Sequence, residues 1–207
     1  MELQYFGANT IKIATKKATI TIDDNLAELG AKSVTKAGDI SLFTGAHGVL
    51  PVESKIVVDQ PGEYEVSDIS IQGIPARSHL DEEGKLSATI YKLLIDDVRV
   101  AVIGHIYPAL SSSQLEALGT IDVLIIPVGG NGYTLDPVGA LKLVKDIEPK
   151  LIIPTHFEDT SLNYPVPQQP LTEAIKVLAM EPRETTAKLK LKAADLGEGT
   201  QLVILER

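Results

Sequence analysis

The chain has 207 residues, a formal net charge of −9 and no cysteine. That length can bury a real core in one large domain or two small ones. The absence of cysteine excludes disulfides and thiolate metal sites, so any metal must be held by histidine or carboxylate. The acidic balance and the lack of tryptophan argue against a basic nucleic-acid face and an aromatic platform for single strands. No apolar run reaches the length of a membrane span. The opening MELQYFGANT lacks the basic and apolar regions of a signal peptide, so a cytoplasmic protein without membrane or nucleic-acid partners is expected.

Residues 3–6, 11–14 and 18–22 read as three short strands, broken at Gly7-Ala8-Asn9 and Thr15-Lys16-Lys17. Asp23 reads as a turn residue, and Asp24 or Asn25 is placed to cap a short helix reaching Leu29. Residues 40–43 form an apolar run that ends in a small-residue loop around His47. After a strand at 56–58, alternation through Tyr64, Val66, Ile69 and Ile71 predicts a hairpin turning at Ser67-Asp68. A second hairpin, 88–95 with 98–103, turns at Asp96-Asp97.

In the second half, strands alternate with helices. The run Ser111 to Ser113 with Gln114 opens a short helix that stops at Gly119. Residues 121–127 are continuously apolar, as in a strand covered on both faces. A glycine-rich loop, VGGNGYTLD, leads to Asp136-Pro137, a cap followed by proline at the first helical position. Val138, Leu141, Val144 and Ile147 then fall at helical spacing. Residues 151–154 read as a buried strand, 158–169 as a proline-bearing loop or lid, and 171–180 as a helix with Ile175 and Leu178 inward. Strands at 188–192 and 201–205 close the chain. No linker, repeat or charge block divides it. Two packed mixed sheets with helices outside, in one domain spanning 1–207, are expected.

All four histidines, His47, His79, His105 and His156, follow β-like runs. A lone histidine at a strand end is most often an ordinary hydrogen-bonded residue. Four out of four form a pattern.

The chain resembles the metallo-β-lactamase superfamily, in particular the branch of L-ascorbate-6-phosphate lactonase and small zinc-dependent hydrolases. The resemblance rests on Phe6-Gly7-Ala8, Ile22-Asp23-Asp24, the segment DQPGEYEV from Asp59, and the run LEALGTIDVLIIPVGG from Leu115 continuing to PKLIIPTH, which ends at His156. It implies an αββα sandwich of two mixed sheets with outer helices. It also implies two metal ions, usually zinc, sharing a nucleophilic hydroxide, since a bound metal can bring the pKa of water down to about 7.

The family's His-x-His-x-Asp-His loop aligns with Gly45, His47, Val49 and Leu50, so three of its four ligand positions are lost. His79 and His156 stand at later ligand positions, and His105 replaces the bridging aspartate. The resemblance therefore implies at most a mononuclear, histidine-rich site of His47, His79, His105 and His156. Zinc is its first occupant, with nickel, copper or iron as alternatives. Asp23 and His156 are the candidate catalytic groups. Asp81 and Glu158 are placed to orient His79 and His156, although solvated acids are the commoner case. Gly129-Gly130-Asn131-Gly132-Tyr133 is placed to shape the pocket rim or to bind an anion through backbone N–H groups. Two functions stay open: a metal-dependent hydrolase-like protein acting on a small molecule, or a metal-free, catalytically inactive binding or assembly module, with an oligomer compatible with either.

Overall fold

The computed structural model describes residues 1–207. Strands β1 (Glu2–Gly7), β2 (Thr10–Ala14), β3 (Thr19–Ile22), β4 (Ile40–Leu42), β5 (Ile56–Val58) and β13 (Leu189–Lys190) form a six-stranded sheet in the order β13-β1-β2-β3-β4-β5. The remaining strands are β6 (Gly62–Val66), β7 (Ile69–Ala76), β8 (Ala88–Ile95), β9 (Val98–Val102), β10 (Val123–Pro127), β11 (Leu151–Thr155), β12 (Pro182–Thr186) and β14 (Gln201–Leu205). They form an eight-stranded sheet in the order β12-β14-β11-β10-β9-β8-β7-β6. Both sheets mix parallel and antiparallel pairs.

Alternation along the strands decides which face is buried. Leu3, Ile11, Ile13, Ile20, Ile22, Ile40 and Leu42 project from one sheet toward Ile71, Leu93, Val100, Val123 and Ile153 of the other, which makes the inter-sheet core. The opposite face of the eight-stranded sheet carries Ile90, Ala101, Leu124, Ile126, Ile152 and Leu202. There it meets the helices α1 (Ser112–Leu118), α2 (Pro137–Ile147) and α3 (Leu171–Leu178). Strand β10 is buried at every position, as a strand covered on both sides must be.

The turn chemistry acts as the sequence predicts. Ser67 and Asp68 both have positive φ, as do Asp96 and Asp97, which is the two-residue hairpin turn that matches strand twist. Ser111 caps α1 in a capping box with Gln114, and Asp136 caps α2 ahead of Pro137.

The structure departs from the expected elements in several places. Residues 26–30 form turns and no helix. The Asp24 carboxylate instead accepts from Ser33 Oγ, the N–H groups of Val34 and Thr35, and Thr35 Oγ1, drawing the chain into a loop. That loop covers the outer face of the six-stranded sheet, where a buried Lys12–Asp39 pair at 2.8 Å is joined by Thr21 and the N–H of Lys36. All three helices lie on the other sheet. The inward side of α2 is Ala140, Leu143, Val144 and Ile147, and Val138 points to solvent. In α3 Leu178 faces inward as expected, joined by Ala174, and Ile175 packs partly buried against the same core. Strand β12, PRETT, carries no hydrophobic alternation because it is an edge strand, with proline first and charges outward.

Candidate functional site

Strands β9, β10 and β11 run parallel. Their carboxyl ends therefore open onto one side, where crevices form in such sheets. Ile103-Gly104-His105 leaves β9 there, Val128-Gly129-Gly130 leaves β10, and His156 follows β11. Together with the turn after β1 and the turn after β3, these ends enclose a cavity of about 500 Å³, lined by Asn9, Asp23, Thr44, His105, Tyr133 and His156 among others.

His105 and His156 are the two histidines brought together. Their ring centroids lie 4.6 Å apart, edge to face. His105 Nδ1 lies 2.9 Å from the carbonyl oxygen of Tyr133, and His156 Nδ1 lies 3.1 Å from Gln168 Oε1. Gln168 Nε2 donates to the carbonyl of Val166, so its Oε1 is the atom facing the ring. Both partners are acceptors. Each imidazole thus carries its proton on Nδ1 and leaves Nε2 as a lone pair. Burial, followed by the neighbouring His105, pushes the pKa of His156 down to about 3, and burial also lowers that of His105. Two uncharged rings result.

The backbone here is held against its preference. His156 and Ala8 are both left-handed, at φ 54° and 48°. They are joined by the His156 N–H donating to the Ala8 carbonyl at 2.7 Å, while the Ala8 N–H donates to Tyr164 Oη. Such strain collects at sites that the surroundings over-determine. Gly129 lets the chain close: a Cβ there would lie 2.0 Å from the His156 carbonyl and 2.2 Å from Gln168 Oε1.

The four imidazoles do not converge as expected. His47 stacks on Phe43 at 3.8 Å, with Nδ1 2.7 Å from the Gly48 carbonyl and Nε2 3.3 Å from Asp59. Those contacts turn it out of the cavity wall. Val49, at a lost ligand position, is fully exposed at 100%. His79 lies beside Tyr107, and its pKa is lowered by burial and then by His105. Its Nε2 is enclosed and has no hydrogen-bond partner.

The acids are also engaged elsewhere. Asp23 accepts from the Thr44 N–H at 2.7 Å and from Thr44 Oγ1 at 2.6 Å, so both of its oxygens hold the β4 loop. Asp81 closes the 78–87 loop through the N–H of Ser78 and the N–H and hydroxyl of Ser87. Burial works against its charge, but those donors hold its carboxyl below the usual range. Glu158 is exposed, and the residue that orients His156 is Gln168. Neither Gln168 nor Asn9 carries a signal in the sequence. One sits in a proline-bearing loop and the other in a turn, and only the fold brings them to the histidines.

No group of three or more histidine and acidic side chains is arranged to hold a metal ion. Two imidazole nitrogens fall short of the three protein ligands of a catalytic zinc site. The donor set as arranged does not fit the metal.

Burial raises the Asp23 pKa to about 6, and the Thr44 hydrogen bonds only partly offset this. Because the folded value lies above the unfolded one, the contribution to stability is complete below about pH 3.8 and is lost as pH rises through about 6. An asparagine in its place could keep both Thr44 bonds and the left-handed φ of 46°. Asp23→Asn should therefore leave stability near pH 4 little changed and raise it by about 2 kcal/mol at pH 8. Urea unfolding at the two pH values measures this, and equal effects at both would show that Asp23 is not carrying a buried charge.

Comparison with known proteins accords with the fold. A family model described as the beta-lactamase superfamily domain matches residues 2–156. A protein of Salinibacter ruber named a metal-dependent hydrolase is 25% identical over 193 residues, covering 76% of this chain and 85% of the relative. One of the same name from Thermococcus onnurineus is 31% identical over 100 residues, covering 46% of this chain and 44% of that protein. The crystal structure of a candidate zinc-dependent hydrolase of the metallo-β-lactamase superfamily from Thermotoga maritima superposes over 100% of both chains, with a TM-score of 0.77 and 22% identity. At that identity the likeness is one of fold. No helix is long and apolar enough to cross a membrane.

Proposed function

The chain belongs to the β-lactamase superfamily domain family as a metal-dependent hydrolase-like member, and we propose that it is a reduced one, whose cavity binds a small polar molecule without the superfamily's metal-driven hydrolysis. The observation that carries this reading is the isolation of His105 and His156. They share the cavity, while His47 is stacked on Phe43 outside it and Asp23 is engaged by Thr44. Metal hydrolysis needs an ion held with an open position and a base placed for its water. Here Gly45, Val49 and Leu50 stand where the resemblance would put ligands.

One observation favours a second reading. The enclosed, unpartnered Nε2 of His79 is a free lone pair or an unmet donor, and a rearrangement bringing it to His105 and His156 would make a three-histidine, mononuclear site of the kind zinc uses. Elemental analysis of untagged protein after incubation with zinc, nickel, copper or iron separates the two. The reduced reading expects metal far below stoichiometric. About one equivalent that is lost in His79→Ala, His105→Ala and His156→Ala would establish the mononuclear site instead and justify a hydrolase screen.

A further inference from the structure

The charges around the histidine cavity are one-sided. Asp23, Glu28 and Asp81 line it, against a single lysine. That lysine, Lys85, is largely exposed and lies 3.4 Å from Asp81. The hydroxyls of Thr44 and Ser87 already donate to Asp23 and Asp81. A cleft lined by one sign of charge concentrates ligands of the other, but an acidic lining alone names no ligand. The rings supply the second observation. His156 is only 2% exposed. Its Nδ1 faces Gln168, as that of His105 faces the Tyr133 carbonyl. Among the imidazole nitrogens only His79 Nε2 is enclosed without a partner. The Nε2 atoms of His105 and His156 have no partner either, yet they are not closed off, and both residues line this cavity. A buried polar side chain with an open, unmet acceptor calls for an explanation such as a ligand that supplies the donor.

We propose that this cavity is a recognition site for a primary ammonium group, the protonated end of a small alkylamine. Its N–H groups would donate to the open imidazole nitrogens, and the surplus of carboxylates would attract its charge. This rests on the metal-free reading above and gives that site a ligand class. A catalytic metal ion needs three protein ligands in one tight shell, and no such group is arranged here. An ammonium carries three donors and asks only for acceptors within hydrogen-bond reach. A carboxylate or phosphate would set its oxygens against the imidazole lone pairs and beside Asp23 and Glu28. A quaternary ammonium would keep the attraction to the acids but has no N–H for the rings.

Methylammonium is the probe, with tetramethylammonium and acetate as controls. Each is titrated at constant ionic strength into chelator-treated, 15N-labelled protein at about pH 8, where an alkylamine keeps its proton. Long-range 1H–15N spectra should show saturable shifts of the His105 and His156 rings with methylammonium, much weaker ones with tetramethylammonium and none with acetate. Two variants of exposed side chains should move the affinity in opposite directions. Glu28→Gln removes a negative charge from the wall and should weaken methylammonium binding about three- to fivefold, whereas Lys85→Ala removes the positive one and should tighten it by a similar factor. Glu28 and Lys85 both lie at the surface, so neither change threatens the fold. Absent shifts, tetramethylammonium binding as well as methylammonium, a preference for acetate, or variants that leave the affinity unchanged or move it in the same direction would each overturn the assignment. About one equivalent of metal held by His105 and His156 would sink the metal-free reading, whereas failure of methylammonium in metal-free protein would sink the ammonium assignment alone.

Discussion

Gly104→Ala should destabilise the fold by about 3–5 kcal/mol, the sum of left-handed strain, overpacking and a disturbed buried carboxylate. Gly104 has φ 64°, where L residues are strained. A Cβ there would lie 2.1 Å from Thr44 Oγ1 and 2.4 Å from Thr44 Cβ. Thr44 cannot simply turn aside, because its hydroxyl and N–H are the donors to Asp23 and its carbonyl accepts from the Thr89 N–H. The residue after Gly104 is His105, so the same substitution should move the ring that faces His156. Urea unfolding should show a lower midpoint at unchanged m. Removing the Thr44 side chain tests the cause. In a Thr44→Gly background, Gly104→Ala should cost only the backbone strain, about 1–2 kcal/mol. An undiminished penalty in that background would mean that the clash with Thr44 is not its source.

The linkage of Gly104, Thr44 and Asp23 shows where sequence reading succeeds and stops. Local chemistry was legible: paired positive-φ residues at Ser67-Asp68 and Asp96-Asp97, the Asp136-Pro137 helix start, and the unbroken apolar run through Val123 to Ile126 each state their structure over a few residues. The two-sheet sandwich follows from such runs once the family resemblance orders them. Edge strand β12 was not legible, because an edge buries too little to alternate. The loop over the six-stranded sheet was missed because Asp24, a good helix cap, spends one carboxylate oxygen on four donors about ten residues onward. At the site, placing His105 and His156 together needed only the parallel order of β9, β10 and β11. Excluding His47 from that pair required knowing that its ring would stack on Phe43 and reach Asp59, twelve residues further along the chain. Gln168 and Asn9 act through contacts that no spacing rule encodes.

At the opposite end of the same three strands, Asp122→Ala should cost about 2–4 kcal/mol, below the full penalty for breaking a buried ion pair because water can reach the cations left behind. Asp122 is 2% exposed and precedes β10. It accepts from the Arg99 N–H at 3.0 Å, from Arg99 Nε at 2.7 Å and from Arg99 Nη2 at 3.0 Å, and it lies 3.1 Å from Lys150 Nζ. Its own N–H donates to Arg99 O, and its carbonyl accepts from the Leu151 N–H. The residue thereby ties the starts of β10 and β11 to β9, and the carboxyl ends of these strands carry the histidines. Burial alone would raise its pKa, but Arg99 and then Lys150 override that and hold it at about 2. The folded value lies below the unfolded one, so the stabilisation is present above about pH 3.8 and is lost as pH falls through about 2. Asp122→Asn should accordingly be about 2 kcal/mol less stable than wild type at pH 7 and converge on it near pH 2. This is the reverse of Asp23→Asn, whose gain appears as pH rises. Two buried aspartates, one facing cations and one facing a threonine, should tilt the pH–stability curve in opposite directions. Unfolding curves of both variants across pH 2–8 would show it, and parallel slopes would mean that burial alone, not the partner, sets the charge state of each.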